Sequence, residues 1–145
     1  MAIRIGINGF GRIGRMVLRS VIENNRKELE VVAINNKGNT EVTSFLLKHD
    51  TIHGKLKTKI SHSEKTIEIN GKKISMIHET EISKIDWKKH SVDVVLECTG
   101  KFNTKEKSVQ HIKSGAKKVL VSAPCKGAIN IIFGVNQKTL KNSDK

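Results

Sequence analysis

A chain of 145 residues has the length of one ordinary domain, and 37% hydrophobic with 28% charged residues describes a chain that buries a core and is not disordered. No apolar run approaches the roughly 20 residues that cross a bilayer, and no long apolar stretch or small-residue cleavage site follows Arg4, so neither membrane span nor secretory signal is read and the cytoplasm is expected. The net charge of +13 raises nucleic acid as a partner, but the lysines are dispersed, aromatics make up 3% and tyrosine is absent, which argues against a phosphate-and-stacking surface.

Along the chain, Ile3 to Asn8 (IRIGIN) alternates apolar side chains and reads as a strand. A glycine turn follows at once. Residues Arg12 to about Asn25 then form an amphipathic pattern that places Ile13, Met16, Val17, Val21 and Ile22 on one helical face. Glu30 to Asn35 (EVVAIN) is an apolar run suited to a buried parallel strand. These three pieces make one βαβ unit of about thirty residues. A second helix is predicted over Thr40 to His49, with Val42, Phe45, Leu46 and Leu47 turned inward. Residues Lys55 to Ile77 alternate apolar and polar side chains around Asn70-Gly71, a strong hairpin signal, and read as an antiparallel insertion.

Trp87, the only tryptophan, is expected to be a packing anchor. The parallel pattern resumes with a strand over Val92 to Cys98, closed by Thr99-Gly100. A helix is predicted over Thr104 to Ser114, with Asn103 as N-cap, Glu106 in the spacing of a capping box and Gly115 as the stop. KKVLVSAP, ended by Pro124, is the next strand, and Asn130 to Asn136 (NIIFGVN) reads as one more. No repeat or linker divides residues 1–145. The fold class is α/β: a Rossmann-like, doubly wound, mostly parallel sheet with an antiparallel hairpin insertion.

The chemistry concentrates at Gly9, Gly11 and Gly14, a G-x-G-x-x-G set between a strand and a helix. Gly9 permits a tight turn, Gly11 lets a pyrophosphate approach the backbone, and Gly14 lets the helix pack close to the sheet. The helix N-terminus adds unpaired N–H groups and a positive dipole end, with Arg12 and Arg15 nearby. At the end of the second strand a carboxylate usually grips the adenine ribose. Here the residues are Asn35, Asn36 and Lys37, which leaves both NAD and NADP open. Cys98 and Cys125 form no C-x-x-C pair or disulfide framework, and the six histidines are too scattered for a metal site.

INGFGRIGR (Ile7 to Arg15), VVAIN (Val31 to Asn35), HDTIHGK (His49 to Lys55), INGKKI (Ile69 to Ile74), ECTGKF (Glu97 to Phe102), GAKKVLVSAP (Gly115 to Pro124) and FGVN (Phe133 to Asn136) occur in one order and spacing. Together they resemble the cofactor-binding domain of phosphorylating glyceraldehyde-3-phosphate dehydrogenase. The resemblance implies that Asn8, Gly9, Phe10, Gly11, Arg12 and Ile13 wrap a pyrophosphate, with Arg12 and Ile13 offering backbone N–H groups. It implies that Cys98, Thr99, Gly100 and Phe102 line the adenosine side and that Ser122 sits near the nicotinamide. Asn36 stands where the family usually has Asp, and Thr80 where it commonly has Arg, so an adenine contact at Thr80 would come from the backbone.

The family's nucleophilic cysteine lies in a later S-x-x-S-C-T-T-N-C segment, which neither Cys98 nor Cys125 matches. The resemblance therefore implies dinucleotide binding without catalysis by these residues alone, completed in the full enzyme by a catalytic domain and sister subunits of a homotetramer. Erythrose-4-phosphate dehydrogenase shares this half of the molecule. A stand-alone nucleotide- or RNA-binding module is the alternative from another class.

Overall fold

The computed structural model describes Met1–Lys145. Its elements are β1 (Ile3–Asn8), α1 (Arg12–Glu23), β2 (Leu29–Asn35), α2 (Thr40–Lys48), β3 (His49–Asp50), β4 (Gly54–Lys55), β5 (Ile60–Ser63), β6 (Thr66–Ile69), β7 (Lys72–Ile77), β8 (Val94–Glu97), α3 (Lys105–Ser108), α4 (Gln110–Lys113) and β9 (Lys118–Val121). Seven strands form one sheet in the order β5-β6-β7-β2-β1-β8-β9, and β3 pairs with β4 as a separate antiparallel ribbon. The run β7-β2-β1-β8-β9 is parallel, while β5, β6 and β7 pair antiparallel. The predicted insertion therefore extends the main sheet, because β7 adds to β2 in parallel while closing the hairpin with β6. No helix is long and apolar enough to cross a membrane.

The antiparallel part is set by its turn. Asn70 and Gly71 have φ of 50° and 80°, so both central residues are left-handed, as a type I′ hairpin requires. The parallel part buries both faces. One core gathers Ile5, Ile7, Leu18, Ile34, Leu47 and Met76; the other gathers Val32, Ala33, Ile85, Trp87, Val95 and Ala116. Gly6 sits under Trp87, where a Cβ would lie 2.7 Å from the indole.

Both long helices present faces that differ from the sequence expectation. On α1 the buried stripe is Gly14, Leu18 and Arg19, with Ile22 packed against the core, and Ile13 is exposed. Glycine at the stripe's start brings the helix axis close to the sheet and turns Ile13 outward. On α2 only Leu47 of the expected apolar set is buried; Val42, Phe45 and Leu46 face solvent. The inward positions are Thr40, Thr43, Ser44 and Leu47. The two threonines are placed inside because they bond: Thr40 Oγ1 donates to the Glu64 carbonyl at 2.8 Å, and Thr43 Oγ1 accepts from Asn36 Nδ2 at 3.1 Å, while the Ser44 hydroxyl is buried without a partner.

Two predicted elements near the end of the chain also change. The helix after Asn103 is two short segments, and Thr104 is its N-cap, accepting from the Lys107 amide at 3.4 Å. Asn103 instead donates to the Gly100 carbonyl at 3.1 Å. NIIFGVN forms no strand. Asn136 Oδ1 accepts from the Ile132 amide at 2.7 Å, Asn136 Nδ2 donates to the Asn130 carbonyl at 3.0 Å, and Gly134 has φ 87°. That asparagine chemistry folds the segment into turns and leaves Ile132, Phe133 and Val135 exposed.

Candidate functional site

From β1 the chain passes through α1 to β2 on one side, and later returns to place β8 on the other side of β1. The strand order therefore reverses at β1, the switch point at which sheets of this kind form a crevice beyond the carboxyl ends of their strands. Along that edge the sequence-predicted residues come together. Thr80 follows β7, Asn36 follows β2, Asn8 to Ile13 leave β1, Cys98 to Phe102 leave β8, and Ser122 follows β9. The loops are tied as well as adjacent: the Gly9 amide donates to the Asn35 carbonyl at 2.9 Å, the Cys98 amide to the Asn8 carbonyl at 2.8 Å, and the Ser122 amide to the Glu97 carbonyl at 3.0 Å.

The three glycines have three different surroundings. Gly9 has φ 89°, and a Cβ there would lie 2.7 Å from Thr99 Cγ2 and 2.8 Å from the Thr99 nitrogen. A Cβ at Gly14 would lie 2.4 Å from the Gly9 carbonyl oxygen. Around Gly11 nothing lies within 4 Å. Gly9 and Gly14 are thus required by the protein's own packing, whereas no packing contact excludes a side chain at Gly11. Gly11 is also the N-cap of α1, without a side-chain cap, so the first amides of the helix have no cap to accept from them. A flat, uncapped, positive-ended cradle of this kind fits a pyrophosphate.

Below the crevice lies a polar floor that the sequence reading did not single out. Asn8, Asn35 and Glu97 end β1, β2 and β8 in mutual register. Asn8 Nδ2 donates to Glu97 Oε2 at 2.6 Å, and Asn8 Oδ1 accepts from Asn35 Nδ2 at 2.8 Å. Asn35 Oδ1 accepts from the Glu79 amide at 2.9 Å. Glu97 Oε1 accepts from the Thr99 amide at 2.7 Å and from the Thr99 hydroxyl.

His111 Nε2 lies 2.9 Å from Glu97 Oε2, and Trp87 Nε1 donates to His111 Nδ1 at 3.0 Å. Indole nitrogen only donates, so Nδ1 is the acceptor and the ring hydrogen on Nε2 is given to Glu97. Burial alone would raise the Glu97 carboxyl, but hydrogen bonds from His111, Thr99 and Asn8 outweigh it and hold the carboxyl below its ordinary range. Trp87 is thus more than a packing anchor, since it fixes the orientation of His111.

Several expected ligand residues belong to this floor and not to the crevice surface. Asn8 and Phe10 are each only 2% exposed, and the Asn8 side chain has its partners already. Cys98 is half-buried against the core, and burial pushes its thiol up despite a hydrogen bond from Ser122. Cys125 is buried. Arg12, Ile13, Gly100 and Ser122 are exposed at the rim, Thr99 and Phe102 half-exposed. Arg12 is paired at 3.4 Å with Asp50, whose carboxyl the His53 amide and ring, then the Ile52 amide and Arg12, hold far below the carboxylate range. Arg19, 2% exposed, donates from α1 to the Gly54 carbonyl at 2.9 Å and fastens the same ribbon.

The missed residues had one local signal. IRIGIN, EVVAIN and VVLE are apolar runs that each end in a polar residue, and equal strand ends place those residues side by side. His111 and Trp87, which complete the floor, carry no such mark in the sequence.

Residues 3–105 match the family described as glyceraldehyde 3-phosphate dehydrogenase, NAD binding domain. The chain is 49% identical over 138 residues to glyceraldehyde-3-phosphate dehydrogenase of Streptomyces coelicolor, covering 94% of this chain and 41% of that protein. It is 43% identical over 139 residues to the enzyme of that name from Thermotoga maritima, covering 95% and 42%. It is 46% identical over 140 residues to glyceraldehyde-3-phosphate dehydrogenase 1 of Giardia intestinalis, covering 96% and 41%. The chain thus spans about two-fifths of the length of these relatives.

Proposed function

This chain belongs to the glyceraldehyde-3-phosphate dehydrogenase NAD-binding domain family, and we propose that its crevice seats the dinucleotide of such an enzyme. The observation that carries this reading is the contrast among the glycines: two are filled by the protein's own packing, and the third lies bare at an uncapped helix N-terminus. Gly11, Arg12 and Ile13 face the pyrophosphate with backbone amides. Thr99, Gly100 and Phe102 flank the adenosine, Asn36 and Thr80 meet its ribose and base from the neighbouring strands, and Ser122 stands on the nicotinamide side. Asn8, Phe10 and Cys98 hold these loops from beneath, and Gly9 allows the first loop to reach Thr99.

Bound there, the dinucleotide supplies a hydride acceptor for oxidation of an aldehyde; in the whole protein that aldehyde is glyceraldehyde-3-phosphate. Neither thiol in these residues suits the nucleophile of such a reaction, because Cys98 is held protonated by burial and Cys125 is enclosed. The nucleophile, the base and the substrate-phosphate contacts therefore come from the remaining length that the relatives possess, and sister subunits complete a homotetramer. Isothermal titration of the 145-residue chain with NAD and NADP tests the central point. Saturable 1:1 binding of at least one is expected, and no heat with either at millimolar nucleotide would refute the site.

A further inference from the structure

The loop that leaves β2 carries information that the family assignment does not. A carboxylate there holds the ribose hydroxyls of NAD and repels a 2′-phosphate. This chain has Asn36, and its side chain is not a free substitute. Asn36 Nδ2 is donated to Thr43 Oγ1 at 3.1 Å, and the Asn36 carbonyl accepts from His78 Nδ1 at 2.8 Å. What remains is one neutral acceptor, Oδ1, in place of a charged two-oxygen grip. Immediately after it stands Lys37, exposed and in none of the protein's ion pairs.

Lys37 lines a cleft without hydrophobic residues between the start of α2 and the β5–β6 turn, with His62 and His78 among its walls. Two carboxylates also line it, Glu41 in the first turn of α2 and Glu64 in the β5–β6 turn, and both oppose an anion there, so the fixed cation that favours one is Lys37. The α2 N-terminus is not itself the feature, since Asn39 Oδ1 already accepts from the Glu41 and Val42 amides at 2.7 and 3.4 Å. A phosphate in this cleft would be held by side chains, and the net charge of +13 favours the more anionic of two ligands.

We infer that the ribose end of this site selects the 2′-phosphorylated dinucleotide, with Lys37 pairing the phosphate and Asn36 removing the repulsion, so that NADP is taken in preference to NAD. This inference rests on the crevice being a dinucleotide site. Lys37 is exposed, so its attraction is that of a screened surface charge and weakens as salt is added.

Titrating the unaltered chain, Asn36→Asp and Lys37→Gln with NADP and with NAD at low salt, about 50 mM, separates the two ideas. Unfolding curves run alongside show that each variant is folded. NADP is expected to bind about tenfold more tightly than NAD, Lys37→Gln to bring the ratio towards one, and Asn36→Asp to invert it. Saturable NAD binding with NADP equal or weaker would overturn this inference and leave the dinucleotide site standing. A ratio unmoved by Lys37→Gln would overturn the role of Lys37 in it. Binding of neither nucleotide would overturn both.

Discussion

Replacing Gly11 with alanine adds one methyl where nothing lies within 4 Å, so the folded protein has room for it. The cost is confined to exchanging glycine for a poorer N-cap, under about 1 kcal/mol. The same exchange at Gly14 sets a carbon 2.4 Å from the Gly9 carbonyl oxygen, a backbone atom that cannot rotate away. Overpacking of that kind costs about 1–3 kcal/mol, and the upper end applies because the atom met is backbone. Alanine's better helix propensity returns about 1 kcal/mol, which leaves a net loss of about 2 kcal/mol. For a chain of this length that is a fall of about 4–8 °C in the unfolding midpoint.

Binding should sort the two variants the other way. The Gly11→Ala methyl stands where a pyrophosphate must reach the helix amides, so affinity for NAD(P) should drop at least about tenfold, or 1.4 kcal/mol, in a protein of near-normal stability. Thermal unfolding and calorimetric titration of both variants give the two readouts. If Gly11→Ala binds as tightly as the unaltered chain, the pyrophosphate does not lie where proposed. If it unfolds as readily as Gly14→Ala, the space around Gly11 is not open and the division among the glycines fails.

The buried floor and the hairpin give further predictions. Every polar neighbour of Glu97 is a donor, so Glu97→Gln turns its amide against at least one of them and should cost about 1–3 kcal/mol in urea unfolding. Glu97 is held low in the folded state, so its contribution is complete above the unfolded carboxyl pKa, near 4.3, and is lost as pH falls through the lower folded value. Stability of the unaltered chain should therefore decline more steeply with acid below about pH 4.3 than that of Glu97→Gln, and parallel slopes would show that the carboxylate is not specially stabilised. Gly71→Ala, at φ 80°, should lose about 1 kcal/mol, whereas Gly11→Ala, at φ −71°, suffers no such backbone strain; equal midpoints for Gly71→Ala and the unaltered chain would refute the I′ turn.

Much of the fold was legible because its causes are local. β1, the glycine turn and α1 follow from alternation, three glycines and a helical repeat within twenty-three residues, and the β6–β7 hairpin follows from two. The phase of the helices was not legible. A reading by hydropathy turns Val42, Phe45 and Leu46 inward, but the face of α2 is decided by hydroxyls that bond Asn36 and the Glu64 carbonyl. NIIFGVN has a strand's composition and an asparagine-bonded turn's structure, because the Asn136 side chain captures the Ile132 amide and the Asn130 carbonyl that a strand would have offered to a neighbour. At the site, the loops were visible as motifs and the floor was not. Glu97 finds Asn8 at a separation of 89 residues and His111 at 14, which no local pattern reports.

The floor and the rim of the crevice also differ in how they can change over time. Asn8, Thr99 and His111 are joined through one carboxylate, Asn35 is joined through Asn8, and Trp87 through His111. A single replacement at any of them strands a polar partner and costs stability unless a second change re-pairs it. Asn36 keeps one such tie, donating to the buried Thr43 hydroxyl, whereas Lys37 is exposed and in no ion pair and can be exchanged without stranding a partner. The proposed cofactor preference thus rests in part on a margin, at Lys37, that can be edited without disturbing the platform beneath it.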